Sequence, residues 1–196
     1  MSTSAERQAT RLPGDLAMWL FILAELTVFA LLILSFAITQ VLSGAQFTAS
    51  RALLDGSIGL ALTLSLLSAG FFAALAVHRT RAGYGRQASA WLLAALASGC
   101  IYVVLKSREF GHLIDAGLDL EYDRFFTLYW ILGGFHFLHV LPGLLLFAWL
   151  AWRCWHGVYA QAGKHGELES CVLYWHMVDL IWVLLFPLLY LQRSAG

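Results

Sequence analysis

Five apolar stretches, each of a length that crosses a hydrocarbon core about 30 Å thick, dominate this chain of 196 residues. They cover residues 16–39, 52–77, 88–105, 125–151 and 171–191. In lipid such a run has no water to satisfy its backbone, and a helix satisfies it within the segment. The spacing therefore predicts an all-α polytopic membrane protein, a bundle of five transmembrane helices. Composition agrees: 60% of residues are hydrophobic and 12% charged, with a mean hydropathy of +0.74, far from the balance of a soluble domain. Twelve Lys and Arg offset twelve Asp and Glu, so nothing points to nucleic acid or to a strongly acidic partner.

The connectors are short and polar (GAQFTASR, HRTRAGYGRQ, KSREFGHLIDAGLDLEYDR, RCWHGVYAQAGKHGELES), none large enough for a domain. Residues 1–196 thus read as one transmembrane unit. Arg7 and Arg11 before the first span give it a signal-peptide look, but its apolar run is too long for an h-region of about 7 to 15 residues. It reads as a retained helix, with Pro13-Gly14-Asp15 as turn and N-cap. Arg7, Arg11, Arg79, Arg81, Arg86, Arg153 and Lys164 fall on one side of alternating spans, and Arg51, Lys106, Arg108, Arg124 and Arg193 on the other. That bias favours a cytoplasmic N-terminus and a periplasmic C-terminus. Trp19, Trp91, Tyr129, Trp152, Trp155, Trp175 and Tyr190 lie near span ends and are expected to act as interfacial anchors. Cys100, Cys154 and Cys171 show no ligand spacing and read as small apolar filler.

Ionisable residues inside spans are costly and call for a partner. Glu25 stands in AELTVFALLILSF, and His176 and Asp179 share a face of the fifth span with Glu169 on nearly the same stripe. In the fourth span Gly133, His136, His139 and Gly143 lie along one face, the glycines admitting a neighbour and Pro142 bending the helix. Glu25, His136, His139, His176 and Asp179 are expected to meet in one buried polar layer, carboxyl against imidazole. Helix association, proton handling and haem ligation by two facing histidines all remain open for such a layer. In the second span Ser57, Ala61, Ser65, Ala69 and Ala73 place a small residue at every fourth position, a stripe for close packing.

Four segments carry a family resemblance. RLPGDLAMWLFILAELTVFALLILSF resembles the helix that bears the intramembrane glutamate in subunit III of haem–copper oxidases, with Glu25 at that position. KSREFGHLI is similar to a family segment that places Glu109, and GGFHFLHVLPGL resembles its His-Gly-x-His-Val-x-x-Gly, with Phe137 in place of the glycine. ESCVLYWHMVDLIWVLLFPLLYL resembles its Glu-x-x-x-x-Tyr-Trp-His-x-Val-Asp-x-x-Trp signature through Glu169, Tyr174, Trp175, His176, Asp179 and Trp182. Five spans also occur in bacterial quinol oxidase subunits III and in the subunit-III-like protein associated with bacterial nitric oxide reductase, which the first segment resembles most.

The resemblance implies a non-catalytic subunit, with no cofactor of its own, beside a haem-containing catalytic membrane subunit that holds the haem and non-haem metal; the two-helix V that holds lipids in the seven-span relatives is missing here, and bound phospholipid stays open. It implies Glu25, His176 and Asp179 for any proton-linked role and sets Glu109 and Glu169 near the surfaces. The residues alone also allow an independent b-type haem electron carrier or a small transporter or proton channel.

Overall fold

The computed structural model describes residues 16–160 and 166–191. Among them the chain is helical, with α1 (Leu16–Leu42), α2 (Gly44–Arg51), α3 (Gly56–Arg81), α4 (Gly85–Asp115), α5 (Arg124–Trp155) and α6 (Gly166–Tyr190). Five of these, all but α2, have the length and hydropathy to cross a membrane. The expectations for Pro13-Gly14-Asp15, Arg7, Arg11, Lys164 and Arg193 fall outside the described residues.

The helix count is therefore six rather than the expected five. The extra element lies in GAQFTASR, read above as a connector; its eight residues are too few and too polar to give a periodic signal. It is pinned by tertiary contacts. Phe47 is buried edge-on against Phe36 of α1 and Phe125 of α5, 5.2 and 5.5 Å between ring centroids. Ser50 donates to the Asp123 carboxylate at the start of α5, and Arg124 to the Ser43 hydroxyl at 3.3 Å.

A second difference concerns α4, which continues ten residues past Leu105, through much of the segment read as a polar connector. Tyr102, Lys106, Glu109 and Leu113 recur at helical spacing and are all buried, so the stripe runs on even though two of its members are charged. Lys106 consequently does not belong in the loop tally used for orientation. Side chains set the boundaries: Asp55 and Asp123 cap α3 and α5 by accepting from Ser57 N (2.8 Å) and Phe126 N (2.7 Å). Gly83 and Gly117 end α3 and α4 in the left-handed region (φ 82° and 72°), where Tyr84 N reaches back to Arg79 O and Leu118 N to Leu113 O, each at 2.9 Å.

Helices α3, α4, α5 and α6 form a ring in which α3 meets α4 and α6, and α5 meets α4 and α6; α1 lies outside it against α5 and α6. Because lipid is as apolar as leucine, such a ring is held by close contact and interhelical hydrogen bonds rather than by hydrophobic drive. Ser98 donates to Ser65 O and Ser89 to Ala151 O, both at 2.8 Å, and Trp182 Nε1 to Thr63 Oγ1 at 3.0 Å. At Gly143 a Cβ would stand 2.7 Å from Trp175, so the indole comes this close to α5 only because no side chain is there. The α3 stripe is buried from Ser65 through Ala73, whereas Ser57 and Ala61 face outward. Helix α5 runs through Pro142 as a single element.

Trp152 and Trp155 are exposed, as anchors are, but Tyr129, Trp175 and Tyr190 are buried. These rings serve the interior instead: the hydroxyls of Tyr129 and Tyr190 turn inward to Lys106, and Trp175 packs against Gly143 of α5. Cys154 and Cys171 are buried free thiols, and Cys100 is exposed.

Candidate functional site: intramembrane acid–imidazole pairs and a buried ion pair

Glu25 and His139 meet where α1 leans on α5. His139 Nε2 lies 3.0 Å from Glu25 Oε2, and its Nδ1 lies 2.8 Å from the Phe135 carbonyl one turn earlier. A carbonyl only accepts, so Nδ1 carries a hydrogen. The remaining bond then holds a single proton, either on the carboxyl facing a neutral imidazole or on Nε2 facing a carboxylate. The pair is partly open to the outside, with side-chain exposures of 21% for Glu25 and 14% for His139. Tyr174 of α6 donates to the His139 carbonyl at 2.8 Å, fixing this turn of α5 to a third helix.

A second pair sits on the seam between α3 and α6. His176 Nδ1 is 3.3 Å from Asp179 Oδ2, one turn along the same helix. Both pack over Gly70 of α3, where a Cβ would collide with Asp179 Oδ2 and touch the His176 ring. His176 is 43% exposed and Asp179 12%.

His136 joins neither pair. It is fully buried, 5.1 Å from Trp182 and 5.9 Å from Tyr102 between ring centroids, and neither ring nitrogen has a partner among the described residues. The single polar layer expected from the sequence is thus divided. Glu25 pairs with His139 rather than His176, His176 with Asp179, and His136 is packed among aromatic rings. Facing imidazoles from α5 and α6, as a bis-histidine haem would require, are not the arrangement seen. His139 Nε2 is bound to Glu25, and His176 lines a different seam. Among the described residues no three His, Cys, Asp or Glu converge as a metal site.

The most enclosed charges were not singled out from the sequence as a pair. Lys106 Nζ donates to Glu109 Oε2 (2.8 Å) and to the hydroxyls of Tyr129 and Tyr190 (2.9 Å each), which uses all three of its hydrogens. Tyr190 in turn donates to Glu109 at 2.8 Å. Rings of Phe110, Tyr129 and Trp182 surround the ammonium at 4.7, 4.7 and 5.3 Å, positions suited to cation–π attraction. Glu109, expected near a surface, is therefore an interior group. Its separation of three residues from Lys106 on one helical stripe is the signal that was there to be used. Glu169 lies where expected, at the rim, ion-paired with Arg81 at 2.8 Å. Phe137, which stands where the resemblance has glycine, fills the space between α4 and α5 beside Phe110 and Tyr102.

The fold and these pairs define a multi-pass helical membrane protein that keeps ionisable groups inside its bundle. The family model for cytochrome c oxidase subunit III matches residues 7–194, and the chain belongs to that family. It is 26% identical to quinol oxidase subunit 3 of Bacillus subtilis, over 92% of this chain and 88% of that one. It is 28% identical to cytochrome bo(3) ubiquinol oxidase subunit 3 of Pseudomonas aeruginosa, over 90% and 83%. Cytochrome c oxidase subunit 3 of a Synechocystis strain is 36% identical over a shorter part, 52% of this chain and 42% of that one.

Proposed function

We propose that the chain is a non-catalytic membrane subunit of a haem–copper-type respiratory complex, a terminal oxidase or a nitric oxide reductase. It sits beside a haem-containing catalytic subunit and stabilises it. The observation that carries this reading is the likeness, over nearly the whole chain, to proteins named as third subunits of quinol and ubiquinol oxidases. In this reading haem and non-haem metal belong to the partner, phospholipid fills the grooves that the partner leaves open, and the chain lies in the bacterial inner membrane with its N-terminus cytoplasmic and its C-terminus periplasmic. A proton-linked contribution falls to Glu25 and His139, whose bond holds one transferable proton inside the membrane region.

The test is affinity purification of the tagged chain from its own membranes in a gentle detergent, with identification of stoichiometric companions and measurement of oxygen and nitric oxide reduction. A haem-bearing companion whose activity decays faster during turnover when the chain is deleted supports the proposal. A chain that elutes alone after crosslinking, with every haem–copper activity unchanged by its deletion, overturns it.

A further inference from the structure

The seam between α5 and α6 is covered by α1, while the neighbouring seam between α3 and α6 is covered by nothing among the described residues. Along that open seam runs a groove of about 210 Å³. Ala74 and Val77 of α3 and Leu173 and His176 of α6 line it, and the Arg81–Glu169 ion pair closes one end.

The position of His176 makes this groove unlike an ordinary lipid-facing furrow. It lies ten residues from Gly166 and fourteen from Tyr190. At 1.5 Å per residue that is about 15 and 21 Å from the helix ends, and about 10 Å inward from Glu169 at the rim, within the hydrocarbon region on that side. There 43% of the side chain is exposed; Nδ1 is bonded to Asp179, and Nε2 has no partner among the described residues. Acyl chains offer no hydrogen bond, so a half-open imidazole beside a carboxylate at this depth is costly to leave against lipid. A protein helix supplies what lipid cannot. The small, exposed side chain of Ala74 lets such a helix come close, in the way small residues do at membrane helix contacts.

We infer that the α3–α6 groove is the docking surface for a transmembrane helix of the companion catalytic subunit, one that brings a hydrogen-bonding side chain to His176 Nε2. This rests on the accessory-subunit reading and specifies where that subunit binds. The Glu25–His139 pair is the weaker candidate for this contact, because both nitrogens of its imidazole are already engaged and α1 shields it in part.

The test is photo-crosslinking in native membranes, with a benzophenone amino acid in place of Ala74 or Leu173 and, as controls, of Leu145 on α5 or Leu34 on α1, both exposed. The expected result is a crosslinked peptide from a transmembrane segment of the haem-bearing companion. Its yield from the groove positions is at least about fivefold above the controls, as expected when burial at one specific face sets the contact. A companion Ala74→Trp variant fills the groove without touching a charge. It is expected to cut co-purified companion about tenfold while the isolated chain melts as the wild type does, since Ala74 is exposed. Crosslinks to the companion from Leu145 or Leu34 but not from the groove overturn the surface and leave the accessory reading standing. Crosslinks to a second copy of this chain overturn the identity of the partner, and no protein crosslink from any position overturns both.

Discussion

The Lys106 ammonium lies 2.8 Å from the Glu109 carboxylate, one turn apart on α4, and both groups are buried. A full charge in the interior of a membrane bundle survives only while its partner and its hydrogen bonds are in place. Lys106→Met keeps the stem and removes the charge, leaving Glu109 with Tyr190 as its sole remaining donor among the described contacts. The expected loss is about 3–5 kcal/mol of unfolding free energy. Lys106→Met with Glu109→Leu should recover part of it, because no uncompensated charge remains while the buried hydroxyls of Tyr129 and Tyr190 still lose their partners. Equilibrium unfolding in mixed micelles, run as a double-mutant cycle, measures the coupling.

The proton count at His139 leads to a second prediction. Because Nδ1–H is committed to the Phe135 carbonyl, Glu25→Gln can donate its amide to a neutral Nε2 and preserve the bond. The variant should melt within about 4 °C of wild type, the equivalent of ~1 kcal/mol for a chain of this size. Glu25→Leu leaves Nε2 unpaired and should cost about 1–3 kcal/mol. A loss from Glu25→Gln as large as that from Glu25→Leu would mean that the native pair is carboxylate and imidazolium. A hydrophobic carbodiimide, which attacks the protonated carboxyl, should label wild type at residue 25 and spare Glu25→Gln.

Hydropathy made the spans legible because twenty apolar residues in a row allow few other fates. The ends were another matter. Lys106 and Glu109 read as loop residues because charge counts against a span, yet on α4 they cancel one another and continue a buried stripe that began with Tyr102. The ionisable residues of the candidate site were legible one by one, since each interrupts an apolar run, but their partners were not. His136 and His139 are three apart and share a broad face, and only the tilt of α1 onto α5 decides that His139 takes Glu25 while His136 goes to Trp182. Likewise Asp179 owes its place to Gly70, a residue that the small-residue stripe of α3 passes beside without including.

Asp55 makes a pH-dependent prediction outside the spans. Its carboxylate accepts from the Ser57 side chain (2.5 Å) and backbone N–H (2.8 Å), which hold it below the usual carboxylate range in the folded protein. A lowered folded value adds stability above the unfolded pKa of about 4, and that stability is lost as pH falls through the folded value. Asn also caps helices but does not titrate there. Between pH 6 and about pH 3 the melting temperature of wild type should therefore fall further than that of Asp55→Asn, the two curves separating only below about pH 4. Parallel curves would show that the cap bond does not depend on the charge.

Gly70 is where α3 and α6 come closest to the His176–Asp179 pair, and its replacement tests whether that approach matters. A Cβ there would overlap Asp179 Oδ2 and press on the His176 ring, so Gly70→Ala must push the helices apart or swing the carboxylate off its imidazole. Overpacking of this kind costs about 1–3 kcal/mol. Gly111→Ala on α4 is the matched control, since a Cβ there meets nothing within 4 Å. Alanine being the better helix former, that change should be neutral or should stabilise by up to ~1 kcal/mol. If Gly70→Ala destabilises and Asp179→Ala added to it restores the melting temperature, the clash with the carboxylate is the cause. Equal behaviour of Gly70→Ala and Gly111→Ala would mean that the α3–α6 seam is looser than the contact geometry requires.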